Sequence, residues 1–196
     1  MNVMDGSRWR DNVVLIDADY LDSQVFQISV QLERMLERRL PKLDLGRWLD
    51  YVCLDGGLRP GRNEVQVVMV YTKDKNIMSN VSPADFRKDI DAKAFKDNIG
   101  EFMLAACQVE DEVVTRETMM TQAIEILLVS NEVKRLIVVS DTSLYGSMLR
   151  KVMKDMRGKD VTILTMQVET GFHCNQEMLS YSILAALGVK GEELER

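Results

Sequence analysis

Two closely spaced carboxylates follow the first apolar run of the chain. Residues 12–16 (NVVLI) lead into Asp17, and Asp19 comes two positions later. If the backbone stays extended there, positions two apart project to the same side. Two carboxylates held together repel each other, and a bound Mg²⁺ or Mn²⁺ relieves that repulsion. Asp17 and Asp19 are therefore candidate metal ligands, and the alternative is a turn that caps a helix.

A second polar segment, SDTS, follows the apolar run LIVV at 136–139. Asp, Ser and Thr are preferred helix caps, so capping alone is one explanation of the segment. If the two apolar runs are neighbouring parallel strands, their carboxyl ends meet at one edge of the sheet. The segment then supplies Asp141 as a catalytic or metal-binding partner of Asp17, with Ser140, Thr142 and Ser143 in supporting positions.

A third acid could come from the start of a predicted helix. Glu117, or with less reason Asp111 or Glu112, precedes an apolar helical pattern. Acids in a first turn also interact favourably with the helix dipole, which is the alternative explanation. The sequence has no G-x-x-x-x-G-K-[ST] or G-x-G-x-x-G phosphate motif, so nucleotide cofactors of those kinds are not indicated.

These residues are placed by alternating strand and helix patterns. Strands are predicted at 12–16, 64–71, 102–109, 136–139 and 161–166. Alternation of this kind predicts a three-layer α/β/α fold with a mainly parallel sheet of about five strands. Between the strands, the first helix is expected to be capped by Asp22 or Ser23, another to run from a Ser82 cap to about residue 98, and the last to be capped by Asn175.

Composition fits one α/β domain over residues 1–196, with 191–196 expected to be a frayed tail. The net charge of −6 and pI near 5.0 argue against broad, non-specific nucleic-acid binding. Three scattered cysteines fit a reducing compartment and exclude a zinc knuckle. The sequence shows no signal peptide and no apolar stretch long enough to span a bilayer, so we expect a cytoplasmic protein without membrane contact.

The chain resembles NYN domains of the PIN-like nuclease superfamily. The resemblance lies in VVLIDADYL (13–21), in LIVVSDTSLYGSMLRKV (136–152) and in GKDVTILT (158–165). It implies a PIN-like parallel α/β sheet and cleavage of RNA with Mg²⁺ or Mn²⁺ held by a few aspartates. The chain departs from the family at Tyr20, where an Asn is usual, and at Thr142 and Leu144, which take the positions of two family aspartates.

Three functions follow from these patterns. The first is a metal-dependent ribonuclease, with Asp17, Asp19, Glu117 and Asp141 holding the metal. In that function the RNA backbone would be bound by Lys73, Lys75 and Arg150. The second is a non-catalytic PIN-like module that binds RNA or protein, which the two departures from the family aspartates favour. The third is a phosphatase of the haloacid-dehalogenase type, which the Asp17-x-Asp19 pair resembles. A homodimer is also expected.

Overall fold

The computed structural model describes residues 8–110 and 113–194 of the chain. Its elements follow one another as β1 (Asn12–Asp17), α1 (Ala18–Leu36), β2 (Leu43–Asp44), α2 (Leu45–Asp55), β3 (Asn63–Thr72), β4 (Val81–Ser82), a π-helical turn (Phe86–Ile90), β5 (Lys93–Lys96), β6 (Gly100–Val109), α3 (Arg116–Val129), β7 (Arg135–Val139), α4 (Thr142–Val152), β8 (Asp160–Thr165), β9 (Asn175–Met178), α5 (Leu179–Ala186) and α6 (Gly191–Leu194).

Seven of the strands form one sheet in the order β5-β6-β3-β1-β7-β8-β9. Only β5 is antiparallel to its neighbour, so the predicted α/β class and mainly parallel sheet are confirmed. All five predicted strands are present. The prediction missed the two edge strands because each has only four residues, KAFK and NQEM, and neither contains an apolar run long enough to be recognised. β2 and β4 pair separately as a two-stranded sheet.

Helices cover both faces of the sheet. Alternate strand residues point to opposite faces, and the apolar side chains therefore divide into two buried clusters. In β1, Val14 and Ile16 face the layer formed by α1, α2 and α5, whereas Val13 and Leu15 face α3 and α4. Strands buried on both faces are continuous apolar runs, which explains why β1, β3 and β7 were recognisable.

The six parallel strands have the 3-2-1-4-5-6 order of doubly wound sheets, with β1 and β7 on either side of the point where the order reverses. β1 pairs in register with β7 up to Ile16 and Val139. Asp17, the last residue of β1, and Ser140, the first residue after β7, therefore lie side by side. The fold thus brings the two polar segments singled out above to a single edge.

The predicted helix at 82–98 is wrong. Asp85, not Ser82, caps a turn of π-helix by accepting hydrogen bonds from the amides of Arg87 and Lys88. Beyond this turn the chain forms β5, because Phe95 stacks on Phe102 of β6 with ring centroids 4.5 Å apart. Tertiary stacking here overrides the local helical signal.

Two smaller expectations also differ from the structure. α1 is capped by Asp17 and begins at Ala18, four residues before the predicted cap. Asn175 begins β9, and α5 follows only at Leu179. Residues 191–194 form α6, and Glu193 forms an ion pair of 2.8 Å with Arg38, two residues beyond the end of α1. The frayed tail expected at 191–196 stays a prediction.

The remaining tail residues, 195–196, lie outside the described part of the chain, as do 1–7 and the candidate acids Asp111 and Glu112. Among the described helices, none combines the length and the apolar character needed to cross a membrane.

Candidate functional site

A crevice of about 540 Å³ lies where the strand order reverses, at the carboxyl ends of the parallel strands. α1 starts directly after β1 with no glycine between them, so the turn lacks the Gly-rich backbone that cradles a pyrophosphate in dinucleotide-binding folds. The lining is mostly polar or charged and includes Asp19, Gln24, Lys75, Arg116, Asp141 and Ser143.

Asp17 is fully buried and both of its carboxylate oxygens have partners. Oδ1 accepts a hydrogen bond of 3.0 Å from the Tyr20 amide, which makes Asp17 the N-cap of α1. Oδ2 accepts a hydrogen bond of 2.8 Å from the Tyr145 hydroxyl. Tyr145 also accepts from the Asp141 amide at 3.3 Å. One phenol therefore connects the ends of β1 and β7.

The guanidinium of Arg116 lies between the first two candidate ligands. Its Nε is 3.3 Å from Asp17 Oδ2, and its Nη1 is 3.4 Å from Asp19 Oδ2. Asp19 Oδ2 also accepts from the hydroxyl and amide of Thr72, at 2.7 and 3.3 Å. Arg116 is the first residue of α3, and only 17% of its side chain is exposed. The two carboxylates thus share a cation that belongs to the chain itself.

Burial is the largest influence on the pKa of Asp17. Removal from water raises the pKa of Asp17 to about 6, against the opposing effects of Arg116 and of the hydrogen bonds from Tyr20 and Tyr145. Burial and the neighbouring Asp17 charge also raise the pKa of Tyr145, so its hydroxyl stays protonated and acts as a donor. The pKa of Asp17 therefore lies about two units above its ordinary value of 3.8.

Asp141 lines the same crevice, but its carboxylate caps the N-terminus of α4. Its Oδ1 accepts from the Leu144 amide at 3.0 Å and from the Ser143 hydroxyl at 2.6 Å. Thr142 donates instead to Glu169, in the loop after β8. Ser140 is fully buried, and its hydroxyl has no hydrogen-bond partner among the described residues. Capping explains Asp141 and Ser143, and leaves Ser140 unexplained.

Glu117 sits in the first turn of α3 beside Arg116. Its pKa is lowered by a hydrogen bond from its own amide and by one from the Thr115 side chain, and Arg116 adds to the effect. The negative charge of Asp141 acts in the opposite direction and raises the pKa of Glu117. The arrangement agrees with the helix-dipole explanation of this residue.

The three basic residues predicted to bind RNA differ in their exposure and in their contacts. Lys73 and Lys75 are exposed in the loop after β3, and Lys75 lines the crevice. Arg150 is occupied: it forms an ion pair of 3.1 Å with Glu169, and its guanidinium lies 5.3 Å from the centre of the Phe172 ring. Of the three, the lysines remain suited to contact a partner.

Within 8–110 and 113–194, no group of three or more His, Cys, Asp or Glu side chains is placed to hold a metal ion. The shared divalent cation stays a prediction. Sequence reasoning missed Arg116, Tyr145, Thr72 and Glu169. A basic residue at a helix start, directly before a candidate acid, was the available signal for Arg116, since a cation there opposes the helix dipole and needs a compensating carboxylate.

Comparison with known proteins gives a family but no activity. Residues 6–194 match the model of DUF6621, described as a family of unknown function. No curated protein and no solved structure matches the chain.

Proposed function

We propose that this chain, which belongs to the DUF6621 family, is a PIN-like module that binds a protein partner at the carboxyl edge of its sheet and performs no metal-dependent cleavage. The observation that carries the proposal is the position of Arg116 between Asp17 and Asp19. An arginine stays charged at all physiological pH values, so it compensates one of these two negative charges over that whole range.

Support for the PIN-like assignment comes from the parallel strand order and from the aspartate that ends β1. Support for the absence of a metal comes from charge. Asp17 and Asp19 bring two negative charges, and one of them is already compensated by Arg116. A divalent cation would have to displace the guanidinium or share its carboxylates, and like charges at that distance repel.

Support for a protein partner comes from what surrounds the crevice. RNA-binding grooves combine many lysines or arginines with aromatic platforms for the bases. Here Lys75 shares the crevice lining with the acids Asp19 and Asp141, and Arg150 is paired with Glu169. The residues next to the crevice are mainly polar or aliphatic, which suits a protein surface better than a nucleic acid.

The test is a titration with Mn²⁺, in which binding is measured by calorimetry and stabilisation by the shift in melting temperature. Wild type is expected to show neither binding nor stabilisation. Arg116→Gln removes the internal cation and leaves two buried carboxylates, so Mn²⁺ is expected to bind and to raise the melting temperature of this variant. The control is Arg116→Gln combined with Asp17→Asn, which should lose that response. Mn²⁺ binding by wild type would contradict the proposal.

Metal-dependent cleavage of RNA is the second candidate. The observation in its favour is that Asp19 and Asp141 line one crevice and that Tyr145 links the buried Asp17 to Asp141. This function requires Arg116 to leave the carboxylates, for example to bind a phosphate of the RNA. Cleavage of single-stranded RNA by wild type in Mn²⁺, abolished by EDTA and by Asp17→Asn, would establish it in place of the first proposal. A phosphatase has no comparable support, because Asp17 is buried beneath Tyr145 and Arg116.

A further inference from the structure

Four strongly exposed aliphatic side chains lie in segments that follow parallel strands at the carboxyl edge of the sheet. They are Ile77 after β3 (58% exposed), Val113 after β6 (75%), Leu144 at the start of α4 (58%) and Val168 after β8 (70%). These segments follow four different parallel strands, and the carboxyl ends of parallel strands share one edge. We name these four residues the rim.

Each rim residue is close in sequence to a residue that lines the crevice. Ile77 lies two positions from Lys75, Leu144 one position from Ser143, and Val168 two positions from Met166, and each of those neighbours lines the crevice. Val113 lies three positions before Arg116, which also lines it. Each rim residue therefore follows a parallel strand and lies within three positions of a residue that lines the polar depression. Clustered exposed apolar groups mark interaction surfaces in soluble proteins.

The charged residues that line the crevice indicate which kind of protein binds at the rim. Asp19 is paired with Arg116 within the chain, whereas the exposed Lys75 and the half-buried Asp141 project into the crevice from loops after β3 and β7. An interface between two identical copies must be self-complementary, so that residue i meets j and j meets i. A surface that offers one accessible base, one accessible acid and an aliphatic border meets this condition.

We propose that the partner is a second copy of this chain, joined through the rim by a two-fold axis that brings Lys75 of each copy towards Asp141 of the other. This inference rests on the proposed function for its view of the carboxyl edge as a protein-binding surface. In this dimer Lys75 of the second copy, rather than a metal ion, supplies the positive charge that contacts Asp141. The aliphatic rim supplies the apolar area that the association buries.

The experiment is sedimentation velocity on the full chain over a range of micromolar concentrations. The test variants are Ile77→Asp and Val168→Asp, singly and together. The matched control is Val129→Asp, which alters an equally exposed valine (57%) at the far end of α3, away from the carboxyl edge. Because each introduced carboxylate would be buried without a partner in both copies, the dimer Kd should rise at least about tenfold.

A wild-type dimer that the rim variants dissociate and Val129→Asp preserves supports the inference, as does weakening of the dimer by Lys75→Glu. A wild-type monomer overturns it, and so does a dimer that the rim variants leave intact or that Val129→Asp weakens equally. None of these results depends on Mn²⁺. Failure of the dimer is therefore distinguishable from failure of the metal-free proposal, which the Mn²⁺ titration decides.

Discussion

The variant Asp17→Asn tests whether ionisation of the buried Asp17 carboxyl lowers the free energy of unfolding. The side chain keeps its shape, and its amide oxygen can still accept from the Tyr20 amide at the start of α1. The charge and the bound proton are lost. Arg116 keeps Asp19 as a partner. The variant therefore isolates the contribution of ionisation at one position.

The magnitude follows from the pKa of Asp17, which burial raises from an ordinary value of 3.8 to about 6. Between these two values the folded protein holds a proton that the unfolded chain has released. Its stability therefore falls as pH rises through that window, and the full loss is present above about pH 6. A pKa difference of about two corresponds to about 3 kcal/mol.

Urea unfolding of wild type and Asp17→Asn from about pH 4 to about pH 8 measures this contribution. The free energy of unfolding of wild type, relative to the variant, should decrease by about 3 kcal/mol as pH rises to about 6, and then stay constant. Other acids titrate in both proteins and cancel in the difference. Parallel curves over the whole range would refute the reasoning, since they would mean that Asp17 has the same pKa folded and unfolded.

Three further perturbations address neighbouring features. Thr72→Val removes the hydroxyl that donates to Asp19 at 2.7 Å and should lower the free energy of unfolding by about 1.5–3 kcal/mol in urea. Asp50→Asn should raise the melting temperature above pH 7, because burial, then a hydrogen bond and charge repulsion from Asp97, raise the pKa of Asp50 to about 7 and its ionisation destabilises the fold. Gly100→Ala should lower the melting temperature strongly, because a Cβ there would lie 2.3 Å from a backbone oxygen of β3.

Each of these changes has a control in the same chain. Thr72→Ser keeps the hydroxyl and should retain most of the stability. Asp74→Asn changes an exposed aspartate in the loop after β3 and should leave the alkaline stability as it is. Gly61→Ala places a Cβ 3.9 Å from its nearest neighbour and should be tolerated. A control that behaves like its test variant would contradict the contact assigned to that variant.

The sheet could be predicted from sequence because its central strands carry local signals. β1, β3 and β7 are apolar on both faces, and few alternatives bury such runs. The segment between β3 and β6 could not be predicted in the same way. Its conformation is set by stacking of Phe86 on Tyr71 and of Phe95 on Phe102, and these ring pairs connect positions that only the fold brings together.

The site was predictable in position but not in chemistry. Asp17 and Asp141 were identified as polar residues at strand ends, and the strand order brings those ends together. The sequence could not show that the Arg116 side chain returns from α3 to lie between Asp17 and Asp19. That contact depends on how α3 packs against the sheet, so it is a property of the tertiary structure.

The two outer strands have a consequence for how copies of this protein can aggregate. An open strand at the border of a sheet can recruit another chain by backbone hydrogen bonding, and lysines on such a strand discourage that growth. β5 carries Lys93 and Lys96 at its two ends, and both are exposed. At the opposite border, β9 is only four residues long and carries Glu177. Fibre-like extension through the sheet is therefore disfavoured at both borders.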